Sequence, residues 1–111
     1  MENDIIAHLI TLLSEAALLC EVSGYEDSAN WFRDRIRMIK NPTMASFPEV
    51  LDEIGSVLAG MGSFSDLSLT PSANSGISRE QARLCQWVLV EEIGQAIESL
   101  KKQGESTFNA K

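Results

Sequence analysis

The N-terminal part of the chain repeats its apolar residues at spacings of three and four. Such spacings place side chains on one face of a helix, so they predict a helix from about Asn3 to Val22. Asn3 is the predicted N-cap, and Gly24 is the predicted left-handed residue after the helix. The breadth of the apolar face predicts a central helix. The segment is also expected to be too short and too polar to span a bilayer. Its positions are Ile5, Ile6, Leu9, Leu12, Leu13, Ala16, Leu19 and Cys20.

Two further segments show the same helical period. The first is predicted from about Glu26 to Lys40, and it stops before Asn41-Pro42 because the residue before a proline avoids the helical region. Its apolar stripe is Ala29, Phe32, Ile36 and Ile39. In the next segment, Ser46 and Glu49 have the spacing of a capping box and predict the start of a third helix. Its apolar stripe is Val50, Leu51, Ile54, Val57 and Leu58.

A glycine-containing turn and a polar loop separate the third helix from the last. Gly60 and Gly62 predict a chain reversal, and the large apolar residues Phe64, Leu67 and Leu69 are expected to pack against the end of the core. Ser78 and Gln81 predict the capping box of the last helix, from Arg79 to about Lys102. Its predicted core face is Ala82, Cys85, Val88, Leu89, Ile93, Ala96, Ile97 and Leu100, with Leu84 and Trp87 beside it.

These elements together predict an all-α fold, a single-domain bundle of about four helices. The predicted domain covers residues 1–104, and residues 105–111 are expected to fray because they lack a helical pattern. A chain of 111 residues is long enough to bury one core without metal or disulfide staples. The structured turn and loop before the last helix allow that helix to return across the bundle.

The chain is acidic, with 16 acidic and 9 basic residues and a net charge of −7. This balance argues against a basic groove for nucleic acid. It suits both a soluble protein and a protein that binds a basic partner. The acidic first residues do not look like a secretory leader, and Cys20 and Cys85 lack a partner motif. We therefore expect buried free thiols and a cytoplasmic protein.

No motif in the sequence predicts catalysis. Phosphate-binding loops, dinucleotide fingerprints, zinc-type Cys/His spacings and nucleophile elbows do not occur, and His8 is the only histidine. Glu49-x-x-Asp52 and Glu91-Glu92 only imitate the carboxylates with which all-α nucleotide pyrophosphohydrolases bind magnesium. Gln95 stands where the third carboxylate of the first element belongs, and the order of the elements is reversed. We therefore expect no enzyme activity, metal or cofactor.

Two short motifs resemble a group of small bacterial immunity proteins. The matching residues are Ala29-Asn30-Trp31 and the turn Gly60-Met61-Gly62-Ser63-Phe64-Ser65-Asp66-Leu67. Immunity proteins of this kind are encoded beside polymorphic toxins, including those delivered by type VI and contact-dependent systems. The resemblance covers about Leu9 to Leu69 and implies a protein that neutralises one cognate toxin by blocking its active site or the entry of its substrate.

The hypothetical partner-binding residues are Glu49, Asp52 and Glu53 on the third helix, with Trp31 or Trp87. Carboxylates would steer a basic toxin, and aromatic anchors would supply most of the affinity. The competing interpretation is a solvated acidic face and two core tryptophans. A second hypothesis for function is a helical adaptor or homodimeric regulator, in which the broad apolar faces of the first and last helices form a subunit interface.

Overall fold

A computed structural model describes residues 2–41, 47–58 and 64–109 of the chain. Its α-helices are α1 (Glu2–Val22), α2 (Glu26–Lys40), α3 (Phe47–Ser56) and α4 (Arg79–Asn109). Short 3-10 turns occupy Phe64–Asp66 and Ala73–Ser75, and the described ranges contain no strand. The predicted all-α, single-domain helical bundle is confirmed.

The first helix, α1, is the centre of the bundle and packs along both α2 and α4. Its buried residues are Leu9, Leu12, Leu13, Ala16, Ala17, Leu19 and Cys20. Gly24 follows the helix with φ +86°, as predicted. The amide of Tyr25 donates to the carbonyl of Cys20 at 2.8 Å, and that of Gly24 donates to the carbonyl of Glu21 at 3.1 Å. The predicted N-cap is wrong, because α1 starts at Glu2 and Asn3 lies inside it.

Over Asp4–Val22, α1 is long and apolar enough in composition to cross a membrane. The prediction that this segment is too short and too polar to span a bilayer is therefore wrong by length and composition. A core helix passes the same test, and α1 buries one face against α2 and α4. The packing accounts for most of its apolar character, with Leu18 as an exposed exception, and the compact bundle is consistent with a soluble protein.

The shorter helices α2 and α3 close the other side of the core. Helix α2 buries Ala29, Phe32 and Ile39, and it ends at Lys40 as the proline predicts. Helix α3 buries Val50, Leu51 and Ile54, as its apolar stripe predicts. The predicted N-cap Ser46 lies outside the described residues.

The connection between α3 and α4 is tied to the bundle by packing and hydrogen bonds. Phe64 is buried, and its ring meets that of Phe32 edge-on with centroids 5.3 Å apart. Leu69 is buried and Leu67 partly buried, in agreement with their predicted place at the end of the core. The Tyr25 hydroxyl donates to the Ser68 carbonyl at 3.1 Å. Gly60 and Gly62 lie outside the described residues.

The last helix, α4, begins with the predicted capping box. The Ser78 amide donates to Gln81 Oε1 at 2.8 Å, and the Gln81 amide donates to Ser78 Oγ at 3.1 Å. The helix ends at Asn109 and not near Lys102. Its buried seam is Ala82, Gln86, Leu89, Ile93, Ala96, Ile97 and Leu100.

The predicted core face of α4 was wrong at Cys85 and Val88, which are both exposed. The buried seam alternates spacings of four and three, through Ala82, Gln86 and Leu89. In a seam with this period, the residue directly before a buried position lies on the side of the helix. Cys85 directly precedes Gln86, and Val88 directly precedes Leu89. Gln86 therefore takes the inward position that the sequence analysis had given to Cys85.

Candidate protein-interaction surfaces

The predicted acidic surface of α3 is exposed but largely neutralised within the chain. The carboxylate of Asp52 forms an ion pair with Lys101 of α4. The carboxylate of Glu53 lies 3.4 Å from the guanidinium of Arg35 on α2. Glu49 is exposed in the first turn of the helix. Since exposed pairs of this kind contribute only about 0–1 kcal/mol each, they align α3 with its neighbours more than they stabilise the fold.

The candidate anchor Trp31 is partly buried at the edge of the core. Its ring meets that of Phe32 edge-on at 5.4 Å, and the guanidinium of Arg35 lies 4.2 Å from its centroid. The exposure of Trp31 is therefore intermediate between that of a core residue and that of an exposed anchor. Arg35 contacts both Trp31 and Glu53, so these two predicted partner-binding residues lie on the same surface.

The basic residues of α2 are used mainly inside the chain. Arg33 pairs with Glu21 of α1 at 3.1 Å, and Arg37 pairs with Asp34 on its own helix. With the Arg35–Glu53 contact, three of the clustered cations face carboxylates of this protein. The cluster therefore lends α2 little net positive potential toward an outside partner.

The second candidate anchor, Trp87, lies on another surface. It borders a groove of about 510 Å³ with Arg79, Arg83 and the segment 67–70, whereas Trp31 borders a groove of about 290 Å³ with Val57 and Phe64. Leu67 is the residue that the two grooves share. The structure therefore does not place Trp87 with the acids of α3.

Gln86 links this region to α4 and was missed by the sequence analysis. It is only 6% exposed, and its amide nitrogen donates to the carbonyls of Phe64 at 2.7 Å and Leu67 at 3.0 Å. These two bonds fix the Phe64–Asp66 turn against the helix. The available signal was its place in the seam between Ala82 and Leu89, where a polar residue needs a buried partner.

An exposed apolar face runs along α4 and the neighbouring part of α1. Its large side chains are Leu84 at 67% exposure, Trp87 at 59%, Val88 at 53% and, on α1, Leu18 at 52%. Single exposed apolar residues are normal, but Leu18, Leu84 and Val88 line one groove together. Trp87 lies three residues after Leu84 on α4, at the border of the neighbouring groove. We call these four residues the outer face. Beside it, a groove of about 390 Å³ is lined by Glu15, Leu18, Leu19, Ile77, Leu84, Cys85, Val88 and Leu89.

The two cysteines lie in opposite environments. Cys20 is fully buried in α1, and this burial raises the pKa of its thiol from the usual 9.0 to about 11. Cys85 is exposed at the groove between α1 and α4. The prediction of buried thiols is confirmed for Cys20 and wrong for Cys85. The accessible thiol therefore lies beside the outer face.

Among the described residues, no cluster of three or more His, Cys, Asp or Glu could hold a metal ion. The carboxylates weighed as a magnesium site, Glu49-x-x-Asp52 and Glu91-Glu92, lie on α3 and α4. Asp52 instead contacts Lys101, and Glu91 accepts a hydrogen bond from Gln95 at 3.4 Å. What the described surface offers is a set of apolar and charged contacts.

No family model, curated protein or solved structure matches the chain. Of the turn motif behind the immunity-protein resemblance, the structure describes Phe64 to Leu67. Phe64 is buried at the end of the core, and the carbonyls of Phe64 and Leu67 accept hydrogen bonds from Gln86. Gly60 to Ser63 lie outside the described residues. The resemblance stays a prediction from the sequence, and the functional argument rests on the surfaces.

Proposed function

We propose that this protein is an immunity protein that binds one cognate bacterial toxin in the cytoplasm and occludes its active site. The observation that carries this proposal is the outer face, Leu18, Leu84, Trp87 and Val88, each more than half exposed on a small domain. Contiguous apolar side chains on a water-facing surface are typical of protein-binding sites. Trp is among the side chains that most often dominate binding energy, and the aliphatic residues around such an anchor exclude water from it.

The charge of the chain supports a basic partner. With a net charge of −7, the protein would attract a toxin whose cleft is positive because it acts on an anionic substrate. Long-range attraction of this kind raises the association rate, while the apolar contacts lower the dissociation rate. Neutralisation then needs no catalysis, metal or cofactor, because covering the toxin's cleft is sufficient.

The outer face is a better anchor site than the predicted acidic surface. Asp52 and Glu53 already pair with Lys101 and Arg35, so a toxin would have to displace these contacts to use them. Trp31 is partly covered by Arg35. Of the predicted partner residues, Trp87 keeps the strongest case, and Glu49, Asp52, Glu53 and Trp31 become a second surface to test.

The direct test is to co-express the protein with the toxin domain encoded beside its gene. We expect the protein to restore growth of toxin-expressing cells and to form a stable complex with the purified domain. Replacing Glu49, Asp52 and Glu53 together with Lys changes the net charge from −7 to about −1 and should slow association, but the complex should still form. Leu84→Ala with Val88→Ala should instead weaken the complex by raising its dissociation rate. Continued killing together with the absence of a complex would refute the immunity function.

The second candidate function is a homodimeric regulator or helical adaptor. It is favoured by the same observation, because exposed apolar residues on α1 and α4 could also pack against a second copy. Sedimentation of the purified chain separates the two functions. A dimer in which the outer face is covered, and which does not bind the toxin, would favour the regulator.

A further inference from the structure

The groove between α1 and α4 resembles a helix-binding groove. Leu19 and Leu89 are buried beneath it, and Leu18 and Val88 stand more than half exposed on its two sides. Leu84 lies one turn before Val88 on α4, so the apolar lining continues along the helix axis. A third helix laid here would contact both helices, as in helix-in-groove recognition.

One carboxylate lines this groove, and two more lie one helical turn from residues that line it. Glu15 lines it, three residues before Leu18 on α1. On α4, the exposed Glu80 lies four residues before Leu84, and the exposed Glu92 lies four residues after Val88. Residues three or four apart are neighbours on a helix surface. The apolar groove therefore has an acidic rim.

The arginines of the same helix lie on the other side of it. Arg79 and Arg83 line the groove that contains Trp87 and the segment 67–70, and neither lines the groove with Leu18 and Val88. The charges around the two grooves of α4 are therefore of opposite sign. A partner that matches the apolar groove has apolar residues at its centre and cations beside them.

We propose that the α1–α4 groove binds one amphipathic helix of the partner, with Leu-like residues at helical spacing and Lys or Arg on both flanks. This inference rests on the proposed function, in which the toxin supplies the helix. A second copy of this chain is a poorer occupant, because a twofold contact would bring acidic rims together on two molecules that each carry −7.

The protein contains its own reporter for this site. Cys85 lines the groove and is exposed, whereas Cys20 is buried and its thiol stays protonated to a higher pH. Alkylation by iodoacetamide, followed by intact mass, should modify Cys85 quickly and Cys20 slowly. A helix lying in the groove would cover Cys85, so the rate of the first modification measures occupancy.

The probe is a synthetic amphipathic peptide of about 18 residues, or five helical turns, built from Leu and Lys. We expect a saturating concentration of this peptide to slow Cys85 alkylation about tenfold or more, because modification then requires peptide dissociation. The same peptide with Glu in place of Lys should protect poorly. Equal protection by both peptides, or protection by neither, would overturn the proposal.

A pair of variants with equal net charge separates the acidic rim from general attraction. Glu15→Gln with Glu92→Gln should weaken protection by the Leu/Lys peptide about threefold or more, since each lost rim contact is worth a few tenths of a kcal/mol or more. Glu26→Gln with Asp27→Asn removes the same charge from the first turn of α2 and should preserve protection. Equal loss in both variants would contradict a built acidic rim.

Three further outcomes test the identity of the occupant and keep the groove and the immunity function distinguishable. If Cys85 becomes protected without peptide as protein concentration rises, the occupant is a second copy and the inference is wrong. If the toxin is neutralised but neither it nor the Leu/Lys peptide protects Cys85, immunity stands and the groove is not its site. If the peptide protects Cys85 but the toxin neither binds nor is neutralised, the groove stands and the immunity function fails.

Discussion

The inner and outer faces of α4 use similar apolar side chains for different purposes. On the inner face, Leu89 and Ile93 are buried against the bundle. On the outer face, Leu84 and Val88 remain more than half exposed, although Leu84 lies two residues after the buried Ala82 and Val88 directly precedes the buried Leu89. The difference lies in what the rest of the chain provides opposite each face. Apolar character alone therefore identifies a helix that packs on something, not which stripe is the core.

Gln86 and Val88 make the contrast sharper because their polarity is opposite to their environment. The polar Gln86 is buried and donates to two carbonyls of the Phe64–Leu67 turn, whereas the apolar Val88 faces water. A buried amide is tolerated when its hydrogen bonds are made. An exposed valine gains nothing comparable within this chain, which is the reason to expect a partner at the outer face.

The largest effect on stability is expected on the inner face. Ile93→Ala should lower the free energy of unfolding by about 2–5 kcal/mol, because it removes fully buried atoms and leaves a cavity. Leu84→Ala on the outer face should change it by no more than about 0.5 kcal/mol. Urea unfolding of the two variants measures both. Similar losses would mean that the outer face is packed in solution.

The buried thiol of Cys20 should couple the stability of the fold to alkaline pH. Because burial raises the pKa of Cys20 to about 11, its proton is held more tightly in the folded than in the unfolded chain. Stability from this group is complete below about pH 9 and is lost as pH rises toward 11, by up to about 2–3 kcal/mol.

The matched variants for this effect are Cys20→Ala and Cys85→Ala. Cys20→Ala should flatten the decline in unfolding free energy between pH 9 and 11, since other alkaline groups are common to both proteins. Cys85→Ala should keep the wild-type decline because it retains the buried Cys20 thiol. Chemical unfolding at a series of pH values gives the slopes, and parallel curves for all three proteins would contradict the account.

Two glutamines of α4, the buried Gln86 and the exposed Gln95, can be compared by the same substitution. Gln86→Leu should cost about 1–3 kcal/mol, because the carbonyls of Phe64 and Leu67 lose their donor in a buried place. Gln95→Leu is the control, since Gln95 is exposed on the same helix and only reaches Glu91 at 3.4 Å. We expect little change in its thermal unfolding. Equal melting temperatures for the two variants would rule out the fixing role of Gln86.

The smallest effect is expected at the ion pairs of α3. Asp52→Asn and Glu53→Gln should each cost no more than about 1 kcal/mol, because both carboxylates are exposed and screened by solvent. The cost should shrink further in high salt. Thermal unfolding at low and high ionic strength measures this. A loss larger than that of Gln86→Leu would place these pairs among the main determinants of the fold.

Local rules were sufficient for much of the fold. The helical period, Gly24 after α1, the proline after α2 and the Ser78–Gln81 capping box each act over a few residues, so they could be read from the sequence. The buried stripe of α4 could not be chosen in the same way. Its apolar residues cover most of the circumference, and the position of α1 decides which of them face inward.

The candidate site was predicted less well because its determinants are distant in sequence. Gln86 reaches carbonyls about 20 residues earlier, and Asp52 meets Lys101 across the bundle. No local pattern shows that the α3 acids are paired inside the chain. The sequence analysis placed Trp87 and Leu84 beside the core face and Val88 on it, whereas the structure exposes all three.

The central claim is that the outer face binds a partner and contributes little to folding. It is tested most directly by the affinity of the Leu84→Ala, Val88→Ala protein for the proposed toxin partner, measured together with its melting temperature. We predict an affinity loss of about 100-fold or more, since two anchors of about 1.4 kcal/mol each multiply. The melting temperature should stay within about 3 °C of wild type. Unchanged affinity at unchanged stability would contradict the claim.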